Sequence, residues 1–506
     1  MLAAIKSAAV VGIDAYDVTV EVDAAQGLPQ WIIVGLPVGA VKESRERVGA
    51  ALVNSGFALP PRRITVNLRP ADVRKEGSAF DLPIALGILV ATGQLDPCTV
   101  ENRIFVGELS LDGAVRNIRG SLSVARHVGR AWPGAVLVVP PANHVEAARV
   151  SNILLAAPVT LRELVLQLRA DDLCVGRPEE AVAAARVYDV DFADVVGQET
   201  AKRALEVAAA GSHNLILIGP PGAGKTMLAR RLPTILPDLS EEEALEVIAI
   251  HSVAGVLSPE ITLGARPFRA PHHSISGAGL IGGGSSPRPG EVSLAHNGVL
   301  FLDEMLEFSR SVLDGLRQPL EDATVVIARA AMSVTFPARF TLVGATNPCP
   351  CGRAGEPGRK CSCGAGEVAK YAARMSGPLA DRIDMHVPVG AVALRDLSAD
   401  GDGGDGSSGM RKRVEVARCA QRTRYRALRG ISCNAHVPGR WLDRHTPIDS
   451  DARNLLHSAA SALELSARAY HRVLKVARTI ADLGGDERIA SLHVAEALRY
   501  RPAARK

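Results

Sequence analysis

His213-Asn214-Leu215-Ile216-Leu217-Ile218-Gly219-Pro220-Pro221-Gly222-Ala223-Gly224-Lys225-Thr226 is the stretch on which the reading of this chain turns. Asn214 to Ile218 is a short apolar, β-branched-rich run, the pattern of a buried parallel strand. It breaks at Gly219, and Gly219 to Thr226 fits G-x-x-x-x-G-K-[ST], the phosphate-binding loop. Gly219, Pro220, Pro221, Gly222, Ala223, Gly224, Lys225 and Thr226 are thus the expected nucleotide-binding residues. The glycines let the backbone turn sharply, so that several N–H groups and the next helix's N-terminus converge on phosphate. Lys225 is expected to reach the β- and γ-phosphates, and the Thr226 hydroxyl to ligate magnesium. A helix from Met227 to Leu232, stopped by Pro233, completes the pattern.

At 506 residues the chain is too long for one core, and about 150 residues per domain suggests three. A hydrophobic content of 47% against 22% charged residues belongs to a globular protein, not a disordered one. No apolar run approaches the roughly 18 residues of a membrane span, and Met1 to Gly12 lacks the features of a signal peptide. The expectation is a cytoplasmic protein without membrane partners. Its formal charge of +4 is small, so any nucleic-acid contact must come from local patches.

The first domain, residues 1–170, reads as mixed α+β. Strands are expected over Ala8 to Val22, Trp31 to Val34, Ile64 to Leu68 and Phe105 to Leu111, with a turn at Asp112-Gly113. Helices are expected over Val41 to Ser55, stopped by Gly56, and Asp81 to Val90. Lys75-Glu76-Gly77-Ser78-Ala79, and Gly107 to Gly113 ahead of Ile118-Arg119-Gly120, resemble the proteolytic domain of Lon-type proteases. Lon catalysis needs a serine with a lysine as base. Gapless matching puts Ala79 at the serine position, one residue from Ser78, and Leu122 where the lysine should stand. The domain is therefore expected to keep the fold without peptidase activity, to pack rings or recruit protein partners, and Asp81 and Glu108 to be solvated or capping carboxylates. Residues 171–190 read as a linker.

Residues 191–390 carry the motor signals. Gly298-Val299-Leu300-Phe301-Leu302-Asp303-Glu304 is an apolar strand ending in two carboxylates. Beside a phosphate loop, Asp303 would hold magnesium, and Glu304 would orient and deprotonate the attacking water. Phe340 to Ala345 is a third buried strand, whose tip places the Asn347 amide toward the γ-phosphate or the water. Arg266 to Ser276, Pro287 to Gly298, Asn347-Pro348-Cys349-Pro350-Cys351-Gly352 and Ser376 to Asp384 follow one recognisable pattern. Across essentially the whole chain it resembles the magnesium-chelatase-like AAA+ ATPases of the ComM/YifB group. The resemblance implies an ASCE-type parallel sheet with an α-helical lid, ATP and magnesium as cofactors, and hexameric rings with ATP between subunits. It makes Asn347 the sensor 1 residue, Arg382 the arginine finger and the glycine-rich run 277–284 a pore-lining insert. His272-His273 are adjacent, with side chains expected to point apart, and give only a weak metal signal. Thr324 to Arg329 and Ser333 to Arg339 read as a hairpin, with Arg329 and Arg339 as candidate DNA contacts.

Cys349, Cys351, Cys361 and Cys363 form a C-x-C, nine residues, C-x-C cluster. Four thiolates on a Gly/Pro-rich loop suit tetrahedral zinc, though C-x-C is less usual than C-x₂₋₄-C. Reduced cysteines that pack the loop and a redox pair are the other two readings. Cys98, Cys174, Cys419 and Cys433 read as isolated thiols.

Residues 391–410, including Asp400 to Gly409, have linker composition. Residues 411–506 read as the helical lid, with a last helix over Ile489 to Leu498. Arg411 to Arg429 carries eight basic residues against Glu415 alone, which suits either phosphate tracking or docking on the motor's acidic surface. Leu463 to Ile480 is amphipathic, and its Ser466-Ala467-Arg468 resembles the family's sensor 2, which makes Arg468 the γ-phosphate sensor. The expected function is a ring-forming, magnesium-dependent ATPase that translocates on DNA as a branch-migration helicase. The alternative is a remodelling motor for a protein or metal-insertion partner.

Overall fold

The computed structural model describes residues 2–37, 39–71, 73, 75, 77–176, 188–284, 287–329, 332–354, 360–391, 405–428 and 430–501. Glu76, Arg429 and most of the two linker stretches lie outside them. The chain forms two compact units, Met1–Ala184 with Glu241–Gly264, and Ala185–Ser240 with Ala265–Lys506. The first unit thus takes back a segment from between two motor motifs. Helix Glu241–Ala254 is held there by Ser252, whose Oγ accepts the Gly120 N–H at 2.8 Å.

In the first unit a seven-stranded mixed sheet runs Gln30–Val34, Arg63–Arg69, Asp14–Ala25, Leu2–Val11, Arg103–Phe105, Val136–Val138, Leu154–Ala156. The expected single strand from Ala8 to Val22 is in fact two. They pair antiparallel with Val11 opposite Asp14, around Gly12 at φ 64°. Alternation continues through so tight a turn, so a period of two does not reveal it. The run from Phe105 to Leu111 also divides, and Glu108–Leu109 folds back on Val115–Arg116 around Asp112-Gly113. Helix Asp81–Ala91 is buried along all eleven residues because strands lie on one side and helix Ala40–Asn54 on another. That burial corrects the expectation for its acidic residue. Asp81 is neither solvated nor a cap: Arg47 grips it through Nε at 2.8 Å and Nη2 at 3.0 Å, and the Leu109 N–H reaches it at 3.3 Å. Glu108 accepts a hydrogen bond from the Ser78 hydroxyl, and Leu122 is fully buried.

The second unit is built on a five-stranded parallel sheet in the order Phe268–Arg269, Val299–Leu302, Thr341–Thr346, Leu215–Ile218, Met385–Pro388. Its central strands are buried throughout, as their uninterrupted apolar runs require. Helix Lys225–Ile235 begins two residues before the expected Met227 and continues through Pro233. A proline in the last turn forfeits one intrahelical bond and leaves the earlier turns intact.

The lid comprises helices Ser407–Tyr425, Gly439–His445, Ser450–Ala462, Ala467–Gly484 and Ser491–Arg499. Ser407 to Gly409, given above to the linker, is the first turn of the basic helix. Most of that helix's charge is spent inside the unit. Arg411 pairs with Asp238 and Glu415, Arg413 with Glu206 and Asp405, and Arg424 with Asp482, while Arg418 donates to the Ala209 carbonyl. Of the two expectations for this helix, docking is the one the structure supports. The amphipathic run from Leu463 divides at Glu464, φ 50°, and the next helix starts at Ala467 with Ser466 capping the Ala469 N–H. Among the described residues no helix is long and apolar enough to cross a membrane.

Two histidines, His386 in the last sheet strand and His436 in the lid, are expected to make this unit acid-sensitive. Burial, with Arg501 near, pulls His386 down to about 4. Burial, with Arg339, Arg418 and Lys475 near, pulls His436 down to about 3. Unfolding returns both to about 6.5, so the unfolded chain gains protons first and stability falls as pH drops below that value. At pH 5 each should cost about 2 kcal/mol relative to neutral pH. Asp384 adds to the loss lower down: burial opposes its ionisation, but His213 and Arg472 hold its carboxyl far below the ordinary range. Thermal unfolding near pH 7.5 and pH 5 checks this. A midpoint that does not move would contradict it.

Candidate nucleotide-binding site

The phosphate loop leaves the C-terminal end of strand Leu215–Ile218 and enters helix Lys225–Ile235. Gly222 and Gly224 have φ of 80° and 85°, conformations that L side chains rarely adopt. Gly219 has a different constraint, since a Cβ there would meet the Val389 carbonyl oxygen at 2.1 Å. The first N–H groups of the helix have no intrahelical acceptors, so they and the helix dipole face the loop's concavity.

Parallel pairing brings the other expected residues to the same sheet edge. Lys225 Nζ donates to the carbonyls of Gly219 at 2.7 Å and Pro220 at 2.8 Å, and to Asn347 Oδ1 at 3.1 Å. Burial lowers the Lys225 pKa, against the opposing pull of Asp303 and Glu304. Thr226 Oγ1 donates to Asp303 Oδ2 at 2.8 Å, which joins the two expected magnesium ligands. The set fits the group it is expected to hold: a hydroxyl and a carboxylate converge beside an ammonium resting on acceptors it can exchange for phosphate. Glu304 follows at φ 48°, its N–H donating to Asp303 Oδ1 at 3.0 Å, with a side chain 59% exposed. His273 Nδ1 lies 3.9 Å from Glu304 Oε2. The two histidines do not point apart as expected, because their rings lie together at a 35° tilt with centroids 4.0 Å apart.

Arg382 and Arg468 lie elsewhere. Asp384 and Met385 donate their N–H groups to the Asn214 carbonyl, which places Arg382 before the N-terminal ends of the strands. The phosphate loop begins beyond Ile218 at the C-terminal ends, about 16 Å away at the rise of a strand. Arg382 donates to the Pro378 carbonyl at 2.7 Å and to Glu321, whose other oxygen lies 3.7 Å from Arg468. Both arginines, with Arg472 and Lys475, line a cavity of about 570 Å³. Glu321 carries no signal in the sequence. It is one of two acids in the short helix Arg317–Asp322, and only the fold shows that it joins the two arginines.

Two of the motif arginines, Arg266 and Arg269, hold the chain on either side of the glycine-rich insert. Arg269 holds Glu291 through two bonds of 2.6 and 2.8 Å, and Arg266 donates to the Asn297 carbonyl at 2.6 Å. They fix the ends of the glycine-rich insert. Its strands Gly282–Gly283 and Arg288–Pro289 lie against the hairpin Thr324–Arg329 and Met332–Pro337, where a Cβ on Gly282 would meet Ile327. Arg288 and Arg329 are exposed there. Arg339, the other candidate DNA contact, instead lines the cavity beside Arg382.

Three family descriptions match this chain. "Magnesium chelatase, subunit ChlI" covers residues 191–397, "Subunit ChlI of Mg-chelatase" covers 20–143, and "Magnesium chelatase, subunit ChlI C-terminal" covers 404–501. Competence protein ComM of Haemophilus influenzae is 42% identical over 508 residues, 100% of this chain and 98% of that protein. The chain belongs to the ComM/YifB family of magnesium-chelatase-like AAA+ proteins. Uncharacterized protein YifB of Escherichia coli is 41% identical over 500 residues, 99% of this chain and 97% of that protein. Lon protease 2 of Bacillus subtilis is 31% identical over 196 residues, 33% of this chain and 34% of that protein. The parallel sheet and helical lid are those expected of the family, whose membership marks the chain as an AAA+ ATPase with an ATP and magnesium site.

Proposed function

We propose that the chain is a ring-forming, magnesium-dependent ATPase that moves DNA. The observation that carries the ATPase is the convergence of Lys225 with Asn347 and of Thr226 with Asp303 at one sheet edge. Gly219 to Thr226 bind and orient the triphosphate, Lys225 and Asn347 face its terminal phosphate, and Glu304 takes a proton from the attacking water. Thr226 and Asp303 would hold a magnesium ion, which would neutralise charge on the phosphates. Arg382 and Arg468 lie at the opposite sheet edge, so they act on the nucleotide of another copy, and the active form is a closed ring. Hexameric closure is the family's expectation. The four-cysteine cluster takes no part in the chemistry; zinc is the metal its thiolates suit. In the first unit, Leu122 in place of a lysine supports a domain without peptidase activity.

The choice of DNA rests on the exposed Arg288 and Arg329 at two adjacent hairpins, and on similarity to a competence protein. Hydrolysis measured with and without single-stranded and branched DNA tests it. A several-fold stimulation is expected, weakened by added salt as counterion release requires, and largely lost in Arg288→Ala/Arg329→Ala with basal hydrolysis retained. The docked basic helix favours the other reading, a protein or metal-insertion partner. Basal hydrolysis that no DNA stimulates would move the assignment there.

A further inference from the structure

Directly after Asn347 the chain makes a turn that gathers four sulfurs. Cys349 Sγ lies 3.4 Å from Cys351 Sγ and 3.6 Å from Cys361 Sγ, and the latter two are 3.5 Å apart. With Cys363 added, all four Sγ atoms lie within 4.8 Å of one another. Four thiolates at about 2.3 Å from one tetrahedral zinc ion sit roughly 3.8 Å from each other, close to this arrangement. All four cysteines are free thiols, Cys349 buried and the others half-buried. Backbone N–H groups also aim at the sulfurs. Ala354 donates to Cys349 at 3.3 Å, Cys351 to Cys363 at 3.4 Å and Cys363 to Cys361 at 3.4 Å. Such donors stabilise negative charge on sulfur, which is the form a metal binds.

The same turn rests on the phosphate loop. Gly352, φ 77°, donates its N–H to the Cys349 carbonyl at 2.9 Å. A Cβ on Gly352 would lie 2.5 Å from Pro221 Cδ, so this backbone packs directly on the loop's second proline. Asn347, two residues before the first cysteine, contacts Lys225.

We propose that Cys349, Cys351, Cys361 and Cys363 bind one zinc ion, and that the ion braces the nucleotide site by closing the turn that holds Gly352 on Pro221 and Asn347 on Lys225. One ion bound by both C-x-C pairs ties Cys349 and Cys351 to Cys361 and Cys363, and metal binding of this kind supplies folding free energy locally. The brace rests on the nucleotide-site reading above. Its loss weakens triphosphate binding before any effect on hydrolysis is considered.

The test uses the full chain. Metal analysis after purification without added metal should find about one zinc per chain, and cobalt exchange should give the visible absorption of a tetrahedral thiolate site. Binding of a fluorescent ATP analogue should weaken roughly tenfold or more in Cys361→Ser/Cys363→Ser, in chelator-stripped wild type and in Gly352→Ala. Gly352→Ala should keep its zinc, because the added methyl group displaces Pro221 without touching a thiolate. Wild type with no metal and four reactive thiols, or with a disulfide, would overturn the zinc site. Stripped protein that binds the analogue as tightly as loaded protein would overturn the brace and leave the metal site standing. Should the cysteine variant fail to fold, chelator-stripped wild type against the zinc-loaded protein decides. Analogue binding that Lys225→Ala does not reduce would fault the nucleotide site itself, a separate failure.

Discussion

Glu304→Gln is expected to lower ATP hydrolysis by about 10² to 10⁴, the contribution of a positioned general base, while ATP binding stays near wild type. The separation of the two effects follows from the geometry. Glu304 makes none of the contacts that seat Lys225 or Thr226, and its 59% exposed side chain projects from a left-handed residue at the strand's end. Asp303 is placed differently, half-buried and bonded to Thr226. Asp303→Asn should therefore weaken magnesium-dependent binding as well as turnover. Hydrolysis rates with equilibrium binding of a fluorescent ATP analogue distinguish them. Glu304→Gln hydrolysing within a few-fold of wild type would remove it as the base. A parallel loss of binding would make it a nucleotide ligand.

The phosphate loop and its neighbours were legible because each lies at the end of an uninterrupted apolar strand. In a parallel sheet the ends of such strands meet at one edge, so Lys225, Asp303 and Asn347 come together from three separate stretches. What sequence patterns could not show was placement across the sheet. The family resemblance makes Arg382 an arginine finger for a neighbouring subunit and Arg468 a γ-phosphate sensor, and nothing in spacing shows that the two lie side by side at the far edge, joined through Glu321. Charge counts misled in a similar way. The arginines of Ser407–Tyr425 look like a nucleic-acid surface until Glu206, Asp238 and Asp482, all distant in sequence, are seen to take them up. In the first unit, alternation passed unchanged through the turn at Gly12, and the apolar neighbours of Asp81 gave no hint of the Arg47 that neutralises it.

Arg382→Ala is expected to lower hydrolysis of the assembled protein by about 10³ to 10⁵, the range for an arginine finger supplied in trans. Mixing provides the sharper measurement. Arg382→Ala chains keep an intact phosphate loop, and Glu304→Gln chains keep an intact Arg382, so each alone is nearly inactive. In a head-to-tail ring formed from equal amounts, about a quarter of the interfaces join the intact loop of one chain to the intact arginine of the next. Activity should recover to about a quarter of wild type if interfaces work independently. Were Arg382 to act within its own chain, every subunit would still lack one group and mixing would restore nothing. The described geometry favours recovery, since about 16 Å of sheet separates the two groups in one chain. It also requires an exchange of partners. Arg382 is only 13% exposed and already bonded to Glu321, so the incoming triphosphate must replace a carboxylate with a more highly charged acceptor. Arg468, which shares that carboxylate and is 65% exposed, is released by the same exchange. Arg468→Ala should therefore show the same rescue by Glu304→Gln chains, and failure of both mixtures would place the two arginines outside the shared site.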